Sequence, residues 1–228
     1  MKKTLPAIFA ASILLCGCRA QEPQTRPLQT VEAMSGDWAL PYGQWRFAFV
    51  TPKALPADVT HVRIIDTDGY LYRFYTLDGT QSNPYSIGKW SDKIRKSSIH
   101  FNKANKPPQY MVFCWDSVID KKTYETQIVF SPETWQRMIT PANHLDVYDE
   151  TVWYDRMILG LAPEGKVRLW LQDVGNYPNL PVKPLKISTL SGADLRLCKG
   201  ITQHPNGYTY FGETPEFIKG KTYPYGNW

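Results

Sequence analysis

One cysteine near the start of the chain has the neighbours that acylation chemistry needs. Residues 15–18 read Leu-Cys-Gly-Cys, and they follow two lysines and a short apolar stretch. A cationic start, an apolar stretch and a cysteine after a small residue are the parts of a bacterial lipoprotein signal. The stretch is shorter than the ~20 apolar residues that a membrane-spanning helix needs. The sequence therefore predicts a cleaved signal peptide at 1–17 and a lipid on Cys18. The alternative is an ordinary secretory signal with incidental cysteines.

The residue after this cysteine bears on the destination of the chain. Position 19 is an arginine and not an aspartate. By analogy with the sorting of bacterial lipoproteins, Arg19 favours the outer membrane, with the folded body on the periplasmic face. Each buried methylene of the acyl chains contributes about 0.8 kcal/mol to attachment. The first predicted partner is therefore a membrane, contacted through the N-terminal lipid.

Two further cysteines remain after the signal peptide, Cys114 and Cys198. In an exported chain they could form a disulfide, and closing a loop of that length would contribute on the order of 4 kcal/mol. The alternative is two unpaired thiols, one of them buried in a strand. The spacing alone leaves both readings open.

The residues most often used in catalysis and metal binding do not form a recognisable group. The sequence lacks a nucleophile elbow, a phosphate-binding glycine loop, a dinucleotide fingerprint and a paired zinc-binding motif. The four histidines are far apart in sequence and never stand at metal-ligand spacing: His61, His100, His144 and His204. We therefore predict no catalytic residue, no metal and no cofactor.

Residues 66–69 read Asp-Thr-Asp-Gly, which resembles the start of a calcium-binding loop. The glycine comes too early for such a loop, and Leu77 stands where a bidentate glutamate is needed. A tight hairpin turn explains the four residues, and Asp78-Gly79 is interpreted as a second turn of this kind. An enzyme would require Asp66, Asp68 and Asp116 to converge in one pocket.

The C-terminal segment is rich in aromatic residues that stand among glycine and proline. Such side chains suit a surface that binds another protein, because aromatic residues are enriched at interface hot spots. The alternative is a tail that wraps over the core of its own domain. The candidate binding surface consists of Tyr208, Tyr210, Tyr223, Tyr225 and Trp228.

The charge of the chain argues against a nucleic-acid partner. Removal of residues 1–17 takes away Lys2 and Lys3, so the formal net charge falls from +5 to +3. The remaining basic residues are scattered among acids, and no basic stripe is present. We therefore expect no nucleic-acid partner.

The regular segments that must position these residues follow a period of two, which is typical of β-strands. Strands are predicted at 44–49, 59–65 and 69–76 as a meander, and hairpins at 109–130 and 154–172. Short strands are expected at 185–190, 195–198 and 208–211. One helix is predicted after Ser131, with Pro132 in its first turn and Pro141 as its stop. The pattern predicts a mainly β fold, an antiparallel β-sandwich or open barrel with one short α-helix. Residues 18–40 are interpreted as a flexible linker and residues 41–228 as a single β-rich domain.

Several short motifs, taken in order, resemble those of the bacterial lipoproteins catalogued as domain of unknown function 2931. The resemblance covers roughly residues 42–175. It rests on Trp45-Arg46-Phe47, Pro52-Lys53-Ala54-Leu55-Pro56, Asp68-Gly69, Lys106-Pro107-Pro108-Gln109, Trp115-Asp116-Ser117, Lys122-Thr123-Tyr124 and the segment 160–167. Glu164 departs from the family-like turn, where a glycine is usual.

The resemblance implies a lipoprotein that faces the periplasm and carries no established active site. Members of this kind can be encoded near type VI secretion effectors, which implies an immunity role against a toxin. The expected partner is therefore a protein, either a secreted toxin or an envelope protein. Three hypotheses follow: a protein-binding module, most concretely an immunity lipoprotein; an envelope-maintenance lipoprotein that binds lipid, glycan or an assembly machine; and, least favoured, an enzyme.

Overall fold

In a computed structural model of the chain, residues 36–96 and 98–228 are described, and they belong to one compact unit. Cys18, the predicted signal peptide and the predicted linker up to residue 35 lie outside the described residues. Among the described residues, no helix is long and apolar enough to cross a membrane. Residues 38–40, which the sequence assigns to the linker, pack on the domain: Leu40 is buried, and the rings of Trp38 and Trp135 lie 5.3 Å apart.

The described chain forms two β-sheets with a shared core between them, so the predicted mainly β fold is confirmed. The strands are β1 (Trp45–Pro52), β2 (Ala57–Asp66), β3 (Leu71–Phe74), β4 (Gln81–Asn83), β5 (Lys103–Ala104), β6 (Pro108–Ser117), β7 (Lys122–Val129), β8 (Arg156–Ala162), β9 (Lys166–Leu171), β10 (Leu180–Pro181) and β11 (Lys186–Ser191). Sheet A has the order β10-β9-β8-β1-β4, with β5 also paired to β1. Sheet B has the order β11-β7-β6-β2-β3.

Alternating side chains from both sheets fill the core. Phe47 and Phe49 of β1 face Phe113 of β6, and the Phe49 and Phe113 rings lie 5.1 Å apart. Each buried aromatic side chain removes a large apolar area from water, which stabilises the packed sheets. The ends of these strands therefore hold their connecting loops in fixed positions.

The predicted meander of the first three strands is wrong in one respect. Strand β1 belongs to sheet A, where it runs parallel to β8 and to β4, whereas β2 and β3 pair in sheet B. All but one of the residues of β1 are buried, including Ala48 and Val50 on the face away from the core. A strand buried on both faces carries a continuous apolar run, which is typical of parallel pairing and not of a meander edge.

The other predicted hairpins and the helix are confirmed. Strands β2 and β3, β6 and β7, and β8 and β9 form antiparallel pairs across the expected turns. Helix α1 (Pro132–Ile139) begins after Ser131, whose side chain accepts a hydrogen bond from the Thr134 N–H. A second helix, α2 (Thr214–Ile218), was not predicted.

The C-terminal segment first crosses the outer face of sheet B around Cys198 and ends at Trp228, which packs against Ala162 of sheet A. It does not form the strands predicted at 195–198 and 208–211. A disulfide joins Cys114 of β6 to Cys198. The Glu125 carboxylate accepts the N–H groups of Arg196 and Cys198 at 2.9 and 3.0 Å. Because side chains take these backbone donors, the segment does not need a strand ladder to satisfy them.

Candidate protein-binding groove

A groove of about 440 Å³ lies at the end of the sandwich where β1 finishes. We call it the distal groove. The chain enters the sandwich at the other end of β1, which is eight residues long, so about 25 Å separate the two ends. The groove is lined by residues 53–56, by Ser82 and Pro84, and by Phe211, Gly212, Glu213 and Thr214.

A strained residue shapes the floor of the distal groove. Ala54 has a φ of 58°, a conformation that costs a residue with a Cβ on the order of 1 kcal/mol or more. Its N–H donates to the Ser82 hydroxyl oxygen at 3.3 Å, and its carbonyl accepts the Thr214 hydroxyl at 2.8 Å. Three chain segments therefore fix this turn and keep the groove open to solvent.

Two exposed aromatic residues stand at the distal groove. Phe211 lines it and is 53% exposed, and Tyr85, which directly follows the lining residue Pro84, is 77% exposed. The Asn83 side chain accepts the N–H of Tyr85 at 3.2 Å and the Ser86 hydroxyl at 2.9 Å. Because this backbone is held, little conformational entropy remains to be lost when a partner covers the aromatic rings.

The chemistry of the distal groove suits binding. Its charged members are Lys53 and Glu213, and the Ser82 and Thr214 hydroxyls are already donated to backbone carbonyls. None of its described lining residues is a histidine or a cysteine. Apolar rings beside a few polar groups are typical of protein interfaces.

The predicted tail surface is mostly occupied by the domain itself. Trp228 is only 9% exposed and packs with Leu55, Ile119 and Ala162. Tyr225 is half-buried against the same cluster. These two residues therefore pack on their own domain, which is the alternative interpretation of the tail.

The three other predicted tail tyrosines have hydroxyl groups that bind the β6–β7 end of sheet B. Tyr208 donates to Asp116 at 2.9 Å, and Tyr210 donates to the Ile119 carbonyl at 3.4 Å. Tyr223 remains exposed, but its hydroxyl donates to Asp120. Burial and that hydrogen bond raise the pKa of Tyr223 well above its usual value. Phe211, which has no hydroxyl to anchor it, is the tail aromatic that reaches the groove.

A second exposed surface lies at the end where the chain enters. The loop 141–152 presents Val147 and Tyr148, which are 82% and 80% exposed. Its base is fixed because His144 Nε2 lies 2.9 Å from an Asp173 oxygen and the Tyr177 ring stacks on His144. The sequence contains no periodic signal at this loop, and sequence reasoning missed it together with Phe211 and Tyr85.

The carboxylates considered for catalysis do not converge. Asp66 accepts the N–H groups of Asp68 and Tyr70 in the β2–β3 turn. Asp116 of β6 is the register partner of Asp58 in β2. Asp58 is eight residues from Asp66 along that strand, so Asp116 lies about 25 Å from Asp66. Asp78 and Gly79 do not form the predicted turn. The Asp78 carboxylate instead accepts the N–H groups of residues 100–102. Among the described residues, no group of three acids, histidines or cysteines could hold a metal.

Comparison with known proteins identifies one family. The family model described as "Protein of unknown function (DUF2931)" matches residues 21–226. No curated protein and no solved structure matches the chain.

Proposed function

We propose that this chain, which belongs to the DUF2931 family, is a protein-binding module held on the periplasmic face of the outer membrane by a lipid on Cys18. The lipoprotein signal at residues 1–18 supports the anchor and its location. The distal groove, with its exposed Phe211 and Tyr85, is the observation that carries the binding function.

The proposed partner is a protein because the groove presents aromatic rings on an ordered backbone. A buried aromatic anchor can contribute 2 kcal/mol or more to a protein complex, whereas most surrounding contacts contribute little. Lys53 and Glu213 flank the rings and would form the polar rim that interfaces of this kind have. The module needs no catalytic group to act on its partner.

The most concrete form of this function is immunity to a secreted toxin that attacks the envelope. A tethered binding protein would occlude the toxin where it arrives, and the groove lies at the end of the sandwich away from the first described residues. Arg63 and Arg73, which face each other on the outer face of sheet B, are the observation that favours the alternative of an envelope-maintenance protein that contacts lipid.

The binding function is tested with any secreted effector proteins encoded beside this gene, each directed to the periplasm; a neighbourhood without such a gene would contradict the immunity role. We expect the chain to protect cells from one of them and to form a stoichiometric complex with it, measured by calorimetry. Phe211→Ser should weaken that complex by at least about 30-fold, because it removes the central ring.

Tyr148→Ser is the matched control, since it removes an exposed aromatic ring from the opposite end of the sandwich. It should leave affinity and protection unchanged. A complex that loses affinity with Tyr148→Ser and not with Phe211→Ser would overturn the groove assignment. The absence of protection and of binding to every neighbouring effector would overturn the immunity role.

The anchor is tested separately by mass spectrometry of the chain purified from membranes. We expect an N-terminal peptide that begins at acylated Cys18, and the Cys18→Ser variant should lose both the lipid and outer-membrane fractionation. An unmodified N-terminus in soluble periplasm would contradict the anchor without affecting the groove.

A further inference from the structure

Half of the outer face of sheet B remains open. We call it the open half. It is formed by the ends of β2 and β3 nearest their connecting turn and by the adjoining residues of β6 and β7. The C-terminal segment covers the other half, around the disulfide and Asp116, which we call the covered half. The outward residues of the open half are Arg63, Ile65, Leu71, Arg73, Tyr110 and Val129.

Two arginines face each other directly across the open half. Arg63 of β2 and Arg73 of the edge strand β3 are paired in register. Like charges in this position destabilise a sheet, because neither is neutralised by its neighbour. The ion pairs found among the described residues involve other groups, and neither arginine has a carboxylate partner there.

The acids nearest to this face are already engaged. Asp66 is buried and accepts backbone N–H groups, and Asp68 lies 3.7 Å from Lys106. Glu125 is buried under the C-terminal segment. The two guanidinium groups of the open half therefore remain available to anionic groups outside the chain.

Apolar side chains accompany the two arginines. Ile65 and Leu71 are partners in register in the next row of the face, and both are exposed. Tyr110 of β6 is the register partner of Ile65 on the same face. Cations beside aliphatic and tyrosine side chains match the boundary of a bilayer, where charged headgroups meet hydrocarbon.

The open half lies at the end where the chain enters the sandwich. Lys106 Nζ is 3.3 Å from Asp37 and 3.7 Å from Asp68, so the first described residues lie beside the β2–β3 turn. Between Cys18 and the first described residue, Gly36, stand residues 19–35, a length that spans at most about 60 Å when extended. A lipid on Cys18 would keep this face close to the membrane surface.

We propose that the open half docks on an anionic phospholipid surface, with Arg63 and Arg73 on the headgroup phosphates and Ile65 and Leu71 at the headgroup boundary. This inference uses the proposed lipid anchor only to explain which face meets the membrane. The distal groove, at the opposite end of the sandwich, would stay outside this membrane contact.

The test uses residues 19–228, which contain the whole compact unit and carry no lipid. The chain is sedimented with vesicles of phosphatidylglycerol and phosphatidylcholine, and with vesicles of phosphatidylcholine alone. We expect binding to the anionic vesicles that weakens as salt rises, because the attraction is electrostatic. The double variant Arg63→Gln/Arg73→Gln should bind roughly 30-fold more weakly, since each basic residue near an anionic surface contributes about fivefold.

Lys121→Gln/Lys122→Gln is the matched control, because it removes two exposed charges from the β6–β7 turn at the other end of the sheet. It should bind like the unaltered chain. Equal losses in both double variants would overturn the proposal, because they would show a response to net charge alone. No binding to anionic vesicles would overturn it too.

A soluble acidic polypeptide, polyglutamate, separates a membrane from a protein partner. If polyglutamate at matched charge concentration binds the arginine face more tightly than the vesicles do, the face serves an acidic protein and the proposal is wrong. Because the assay omits the lipid, its failure leaves both the Cys18 anchor and the distal groove untouched.

Discussion

The two halves of the outer face of sheet B carry opposite charges and have opposite environments. On the covered half, the buried carboxylates Asp116 and Glu125 accept hydrogen bonds from the C-terminal segment. On the open half, Arg63 and Arg73 oppose each other without an acidic partner. The comparison suggests that charge on the covered half serves the fold, whereas charge on the open half serves contact with something outside the chain.

The largest effect should come from the disulfide that holds the covered half. Its two cysteines are 84 residues apart, so the bond removes about 4 kcal/mol of chain entropy from the unfolded state. We expect Cys114→Ala/Cys198→Ala to lose a comparable part of its free energy of unfolding in urea. A loss below about 1 kcal/mol would show that the carboxylate contacts alone hold the segment.

Glu125→Gln should have the next largest effect. The N–H groups of Arg196 and Cys198 both donate to Glu125 Oε2, and the Gln127 amide NH2 donates to Oε1. The amide keeps the shape of the side chain but replaces one of these oxygens by an NH2 donor, so one side of the cluster loses its acceptor and the charge is lost throughout. We expect a loss of about 2 kcal/mol in urea unfolding, because hydrogen bonds to charged groups are the stronger kind. Glu216→Gln, which alters an exposed acid on α2, should change stability little.

Glu125 should also make the stability of the domain depend on pH in the acid range. Burial raises the pKa of Glu125, but the donors from Cys198, Gln127 and Arg196 outweigh burial and lower that pKa below its usual value. The stabilisation is therefore complete above the ordinary glutamate pKa of about 4.3 and is lost as pH falls through the lower, folded value. Urea midpoints measured from pH 7 to pH 3 should fall less steeply in Glu125→Gln than in the unaltered chain, and equal slopes would contradict this assignment.

The smallest effect belongs to the open half and has the opposite sign. Arg73→Glu turns the like-charged pair into an ion pair with Arg63, which should stabilise the domain by about 0.5 kcal/mol. The same change should abolish binding to anionic vesicles. If Arg73→Glu destabilises the domain, the two arginines stabilise the fold, and the assignment of the open half to contacts outside the chain is wrong.

The hairpins and the capped helix were predictable because their signals are local. Asp68-Gly69 at the β2–β3 turn and Ser131-Pro132 before α1 act through their own backbone, so the residues near them were enough. The placement of β1 was not predicted, since its pairing with β8 joins residues more than 100 apart. Its continuous apolar run was the signal that sequence reasoning passed over.

The candidate site was harder to predict, because burial of the tail aromatics depends on distant partners. Trp228 and Phe211 look alike in a tail rich in glycine and proline, yet one packs with Leu55 and Ile119 and the other faces solvent. The pairing of Cys114 with Cys198 likewise depends on the fold that brings β6 under the C-terminal segment. No local pattern distinguishes these outcomes.

Equilibrium urea unfolding of two double variants tests the comparison most directly, since each removes two charges from one half of the same sheet face. Asp116→Asn/Glu125→Gln should lose about 3 kcal/mol or more of its free energy of unfolding, because buried donors would be left without their acceptors. Arg63→Gln/Arg73→Gln should differ from the unaltered chain by less than about 0.5 kcal/mol. Similar losses in the two variants would contradict the division of this face into a half that holds the fold and a half that is free to bind.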